Sequence, residues 1–195
     1  MSQQHDLEKF AALLTKWNAA QNLVSRETLD QLWPRHIEDS LQLVEHLRPS
    51  DRRILDIGSG GGFPAIPLAI ATGGSGRRFT LLEPVAKKAA FLRTAARELS
   101  LPVEVHTLRA EHFDSRETFD VVTSRALAAL PALLGLGRPF LGSGSRALLH
   151  KGKDFRREID EASQLLDFDV LIHPSKTDAG GVILEISNLR AKSAR

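Results

Sequence analysis

The residues whose types and spacing could do chemistry lie in the run Leu55-Asp56-Ile57-Gly58-Ser59-Gly60-Gly61-Gly62-Phe63-Pro64. Four glycines fall within the five positions 58–62, more than a tight turn requires. An apolar stretch leads into them, and Pro64 is well placed for the first turn of a helix. A strand, a glycine loop and a helix in that order bring backbone close to a ligand at the carboxyl end of a parallel sheet. Two ligand classes fit, a dinucleotide and S-adenosyl-L-methionine. Read from Gly60, the relaxed dinucleotide spacing is met by Gly62 and Ala65. Two features argue the other way. Asp56 sets a carboxylate where a pyrophosphate would be repelled, and Phe63 stands where the stricter pattern, read from Gly58, needs its third glycine. A carboxylate there suits a ligand carrying an ammonium and a sulfonium, so S-adenosyl-L-methionine is the expected cofactor. Asp56, Gly58 and Gly60 are then cofactor-binding candidates. Glu83, 25 residues after Gly58, is placed to accept hydrogen bonds from both ribose hydroxyls. Ala110-Glu111 falls where an adenine-reading loop would come.

These residues need a sheet to position them, and the sequence supplies one. From Arg53 onward, short apolar runs alternate with helical segments. Strands are predicted at Ile54–Ile57, Phe79–Leu82, Val103–His106, Phe119–Thr123 and Arg146–His150, with β-rich runs at Asp169–His173 and Gly181–Ile186. Helices are predicted around 65–71, 86–99, 128–136 and 155–166. The N-terminal third reads helical instead. Leu7, Phe10, Ala11, Leu14 and Trp17 recur at helical spacing, as do Ile37, Leu41, Val44 and Leu47, until Pro49-Ser50-Asp51 breaks the pattern. The expected class is α/β: a doubly wound, mostly parallel, Rossmann-like sheet with an N-terminal helical cap. The expected division is a cap over 1–50 and a main domain over 51–195, forming one compact unit.

Composition narrows the function classes. With 195 residues and 42% hydrophobic content, the chain can fill one core. No run approaches the roughly 18 apolar residues of a membrane span. The segment Met1 to Lys9 is too polar for a secretory signal. There are no cysteines, which removes disulfides, thiolate metal sites and cysteine nucleophiles together. A cytoplasmic protein without a resident metal is expected. Lys and Arg total 26 against 24 Asp and Glu, so net charge alone does not announce a nucleic-acid partner. The basic residues do cluster, at Arg52-Arg53, Arg77-Arg78, Lys87-Lys88, Arg93, Arg97 and the tail Arg190, Lys192 and Arg195.

Several stretches together resemble a known family. They are Lys16-Trp17-Asn18 through Asn22-Leu23, Arg35-His36-Ile37-Glu38-Asp39-Ser40, the glycine loop running into Ile66-Pro67-Leu68-Ala69, and Val122-Thr123-Ser124-Arg125-Ala126. Lys151-Gly152 after the fifth strand fits as well. The resemblance is to the ribosomal RNA small subunit methyltransferase G family, also called the glucose-inhibited division protein B family, and it covers nearly the whole chain. It implies a class I S-adenosylmethionine-dependent methyltransferase that modifies the N7 atom of a guanine in 16S ribosomal RNA. It also implies cofactor contacts at Gly58, Phe63, Ala110, Glu111 and Arg125. The chain departs from the family in being short, and in having Phe63 where leucine is common and Ala65 where glycine is common.

The remaining residue chemistry agrees with that expectation. Guanine N7 offers a lone pair and no proton, so attack on a sulfonium methyl needs alignment but no general base. A 5-methylcytosine mechanism and radical chemistry on an iron–sulfur cluster both need cysteine. The fourth strand ends in Thr123-Ser124-Arg125-Ala126, without the (Asp/Asn)-Pro-Pro-aromatic signature of enzymes that methylate exocyclic amines. Arg125, at that strand's end, has three open roles: contact with base or phosphate, contact with the cofactor, or a structural salt bridge. Arg35, His36 and Asp39 fall on adjacent turns of one helix, with Arg35 and Asp39 at i,i+4. With Arg125 they are read as catalytic candidates, and their own segment as one that lids the cofactor and helps hold RNA. Arg35, Arg125 and Lys151 are the candidate RNA contacts. The expected partner is 16S RNA, as the 30S subunit or its precursor, bound by a monomer. A small-molecule or protein methyltransferase, and a non-catalytic module binding S-adenosylmethionine and RNA, remain as alternatives.

Overall fold

Ile54, Leu55 and Ile57 alternate to opposite faces of a strand, and each face is covered, so this segment is apolar on both sides. It forms β1 (Arg53–Ile57), an interior strand of a seven-stranded sheet. The computed structural model describes residues 2–115 and 118–192; Met1 and Arg195 of the sequence reading lie outside them. The other strands are β2 (Arg78–Leu82), β3 (Val103–His106), β4 (Phe119–Arg125), β5 (Leu141–Lys151), β6 (Leu166–Pro174) and β7 (Val182–Ala191). Their spatial order is β3-β2-β1-β4-β5-β7-β6. Strands β1 to β5 pair in parallel, and β7 runs antiparallel between β5 and β6. The strand order turns back between β1 and β4, which makes their carboxyl ends the place where a ligand crevice opens.

Two apolar layers sandwich the sheet. On one face, Leu7, Phe10 and Leu14 of α1 (Gln3–Asn18) share a core with α4 (Ala65–Ala71), α5 (Ala86–Glu98) and the sheet residues Ile54, Phe79, Leu148 and Ile183. Phe10 sits 5.5 Å from Phe63, edge on, and 6.2 Å from Phe91, so the N-terminal helix is tied to the glycine loop as well as to the sheet. On the other face, α6 (Leu130–Gly137) and α7 (Phe155–Leu165) cover Leu55, Ile57, Val122, Leu149 and Leu184. Arg146 is 1% exposed, bonded to Asp51 at 2.6 Å and Glu185 at 3.3 Å, and it donates to the His46 carbonyl. That paired charge fastens the N-terminal segment to β5 and β7.

One element winds differently from the sequence reading. After α2 (Arg26–Leu29), a π-helical turn over Trp33–Glu38 leads into the short α3 (Asp39–Leu41) and a 3-10 turn over Gln42–His46. Pro34 opens the turn, having no N–H to donate. The Ser40 hydroxyl bonds the His36 carbonyl at 2.6 Å. Changing from a wide to a narrow winding shifts the buried face, so Ile37 and Leu43 are enclosed while Leu41 and Val44 are half-buried. Leu47 has already left the helix in an extended conformation. Strand β5 also starts earlier than its apolar run, at Leu141, with an irregular register against β4 between Phe119 and Val121. Among the described residues no helix is long and apolar enough to cross a membrane.

Candidate active site

A cleft of about 820 Å3 opens at the carboxyl ends of β1 and β4. One wall is the glycine loop. Gly58 leaves β1 at φ +74°, a backbone conformation that favours glycine, and a Cβ there would stand 2.7 Å from Cδ1 of the exposed Leu127 side chain, which would have to shift. Gly62, at φ +92°, serves packing instead: a Cβ would meet Ile66 Cγ1 at 2.8 Å, where α4 begins. Glu83 follows β2 and faces the same loop. Its Oε2 accepts from the Gly60 N–H and its Oε1 from the Val85 N–H, each at 2.8 Å. Each oxygen keeps a lone pair for a further donor.

The opposite wall comes from the N-terminal segment. Asn18 Oδ1 accepts from the backbone N–H groups of Leu23 and Val24, at 2.9 and 3.0 Å, and so holds those two residues at the cleft edge. This gives a physical role to the Asn18 to Leu23 stretch singled out in the sequence.

Arg125 closes the far end. Its Nη2 donates to His36 Nδ1 at 2.6 Å, and its Nη1 to the Arg35 carbonyl at 2.9 Å and Asp39 Oδ2 at 3.3 Å. The guanidinium lies 4.9 Å from the centre of the Phe63 ring, on which the His36 ring is also stacked at 4.9 Å. Burial, together with the neighbouring Arg125 charge, lowers the pKa of His36 to about 4. The imidazole is therefore neutral, and because Nδ1 accepts from Arg125 its proton sits on Nε2. Arg35 and Asp39, four residues apart, form no ion pair among the described residues: the π-helical turn changes their angular relation, and Asp39 pairs with Arg125. Asp39 instead turns inward to Arg125 and accepts from Gln42 and Thr177, both at 2.8 Å. The Arg35 side chain is exposed at the cleft.

Asp56 is fully buried beneath the loop and is not part of the cleft lining. Thr123 donates to its Oδ1 at 2.8 Å, and Oδ2 has no partner among the described residues. Burial raises its pKa from 3.8 to about 7, against the opposing effect of the neighbouring Ser59 and Thr123 hydroxyls. The sequence reading had it as an open carboxylate facing the cofactor's positive charge; it lies instead one layer below.

Phe63, Gly58, Gly60, Glu83, Arg35, His36, Asp39, Arg125 and Lys151 all line the cleft. Lys151 is tied down there, bonded to Glu158 at 2.5 Å and to the Ala128 carbonyl at 2.9 Å. Ala110 and Glu111 sit on a 3-10 turn after β3, the first buried in the lower core and the second exposed, and neither lines the cleft. Of the basic clusters, Lys88 reaches the cleft, whereas Arg52-Arg53 and Arg77-Arg78 lie at the amino ends of β1 and β2, away from it. Sequence reasoning missed His150, Thr177 and Leu127. His150 is the register partner of Arg125 across β4 and β5, which a strand alignment would have revealed. Nothing in the sequence links Thr177 to Asp39, 138 positions away.

These groups fit S-adenosylmethionine. A Cβ would intrude on the cradle at Gly58, Glu83 offers two acceptors suited to a ribose diol, and the Asp56 oxygen that has no partner among the described residues places negative potential beneath a cationic ligand whenever that carboxyl is ionised.

Comparison with known proteins agrees. Residues 3–181 match the family described as GidB, rRNA small subunit methyltransferase G. The ribosomal RNA small subunit methyltransferase G of Brucella ovis is 50% identical over 186 residues, covering 94% of this chain and 87% of the relative. The Brucella suis protein of that name matches to the same extent. In fold, the chain is similar to an O-methyltransferase from Bacillus cereus in complex with SAH, with a TM-score of 0.61 and 20% identity over 91% of this chain and 90% of that one. It is also similar to a T. thermophilus 16S rRNA N2 methyltransferase, RsmC, in complex with AdoMet and guanosine. That match has a TM-score of 0.57 and 19% identity over 81% of this chain and 40% of that one. The chain belongs to the rRNA small subunit methyltransferase G family of S-adenosylmethionine-dependent methyltransferases.

Proposed function

We propose that the protein transfers the methyl group of S-adenosylmethionine to the N7 atom of a guanine in 16S ribosomal RNA. It acts in the cytoplasm as a monomer, on the 30S subunit or its precursor. When bound, the cofactor supplies an electrophilic methyl on a sulfonium. Gly58 and Gly60 hold it by backbone, Glu83 takes the ribose hydroxyls, and Arg125 with Phe63 shapes the end where the base arrives.

The observation that carries this reading is the state of His36 and Asp39, the two titratable groups bonded to Arg125. His36 is neutral with Nδ1 already accepting from Arg125, and the Asp39 carboxylate is committed to Arg125, Gln42 and Thr177. Neither is poised to remove a proton. A nucleophile that carries no proton, as guanine N7 does, asks only for orientation.

The test is transfer of labelled methyl from S-adenosylmethionine to 16S RNA, offered naked and as 30S subunits, with 23S RNA as control. Digestion and mass spectrometry then identify the base. Recovery of 7-methylguanosine from 16S RNA alone supports the reading. Methyl transfer to another base, or binding of the cofactor without transfer to any RNA, overturns it.

A further inference from the structure

His150, the penultimate residue of β5, lies beside Arg125 and lines the cleft, yet nothing in the transfer described above uses it. Its side chain is 8% exposed. Nε2 lies 2.9 Å from the Asp39 carbonyl oxygen, which can only accept, so Nε2 carries the proton. Nδ1 is then a bare acceptor, enclosed, with no partner among the described residues. His36 shows the converse. Its Nδ1 accepts from Arg125, leaving Nε2–H as an enclosed donor, also without a partner among the described residues. Burial lowers the pKa of both rings, so these hydrogen-bonding patterns hold at neutral pH. Buried polar atoms are rarely left unpaired, and two of opposite kind in one cleft wall point to a ligand presenting an acceptor and a donor. Guanine does so, with O6 beside N1–H and a second donor at N2.

We propose that His150 is a specificity-determining residue whose Nδ1 accepts a hydrogen bond from the N1–H/N2–H edge of the target guanine. The inference rests on the guanine reading given above. Its bond to Asp39 makes a purely bracing role the competing explanation, and two near-isosteric variants separate the roles. In His150→Gln the amide nitrogen reaches the place of Nε2, so the bond to Asp39 is kept and the acceptor is lost. In His150→Asn the amide oxygen takes the place of Nδ1, so the acceptor is kept and the bond to Asp39 is lost.

Steady-state methyl transfer is measured on small subunits that lack this modification, with cofactor affinity followed by calorimetry. The expected result is that His150→Gln lowers kcat/KM about 30-fold, the effect of one missing contact to a base edge, while His150→Asn stays within about fivefold of wild type. Both variants bind S-adenosylmethionine as wild type does. The reverse order, equal loss in the two variants, or weakened cofactor binding in both makes His150 a brace for Asp39 and overturns the proposal. If the wild-type product is 7-methylguanosine, such a failure leaves the function reading standing. If it is not, both readings fall.

Discussion

Replacing Asp56 with asparagine removes a carboxyl that the fold buries completely. Its pKa in the folded chain is about 7, against the ordinary value of 3.8. The sign follows from which state holds the proton. Between 3.8 and about 7 the folded protein keeps it and the unfolded chain gives it up, so stability falls as pH rises through this window. Above 7 the folded state carries a charge in a dry interior. The full difference corresponds to about 4 kcal/mol. The replacing amide carries no charge at any pH, so D56N sheds that penalty and retains an oxygen to accept from Thr123. We expect D56N to be more stable than wild type at pH 8 by about 2–4 kcal/mol, and the advantage to vanish near pH 4. His36 titrates in an overlapping range with opposite sign. Its lowered pKa makes stability rise between about 4 and 6.5, so the difference between the two proteins, not the wild-type curve alone, isolates Asp56. Urea unfolding at steps from pH 4 to 8.5, followed by fluorescence of Trp17 and Trp33, gives that difference. A pH-independent gap between the two proteins would refute the argument. The same variant should bind S-adenosylmethionine more weakly at pH 8, because it deletes a charge that lies one layer beneath the site of a cationic ligand.

Three further outcomes follow from the site geometry. Glu83→Gln keeps one acceptor but turns an amide N–H toward a backbone donor, so cofactor affinity measured by calorimetry should fall about tenfold or more with the fold retained. Gly58→Ala forces a side chain to φ +74° against Leu127 and should destabilise by about 1–2 kcal/mol. Adding Leu127→Ala should relieve the clash but not the backbone strain, and complete recovery of the melting temperature in the double variant would contradict this. Arg125→Lys keeps the charge but cannot hold His36, Asp39 and the Arg35 carbonyl at once. Its kcat/KM for small subunits should drop about 10- to 100-fold, and wild-type turnover would show that the fork geometry is irrelevant.

The sheet was legible in the sequence because its strands are short apolar runs punctuated by glycine, proline and amphipathic helices. Five of them pair in parallel where alternation with helices demanded it. The glycine loop and Glu83 were legible for the same reason, since function there depends on spacing along one βαβ unit. What escaped was long-range or conformational. The π-turn at Trp33–Glu38 leaves no mark in apolar periodicity, yet it decides that Asp39 faces Arg125 instead of Arg35. Asp56 looked like a ligand contact because sequence records a carboxylate at a strand end but not the layer it occupies. Lys151 reads as an RNA contact because its partner Glu158 belongs to the next helix and spacing does not announce the pair.

The position of β7 bears on how the chain can be made. Among the described residues, strand β6 is bonded to the rest of the sheet only through β7, which is the later of the two in sequence and the inner one in space. During synthesis, β1 to β5 can assemble as they emerge, but β6 must wait, unattached, until residues 182–191 have been added. Until then β5 is an open edge bearing Leu148 and Leu149, which attracts other strands. The Thr177 bond to Asp39 also waits, because its loop joins these two strands. The cleft is therefore completed last, and a nascent chain stopped short of Val182 would carry the glycine loop without the brace that sets Asp39 against Arg125.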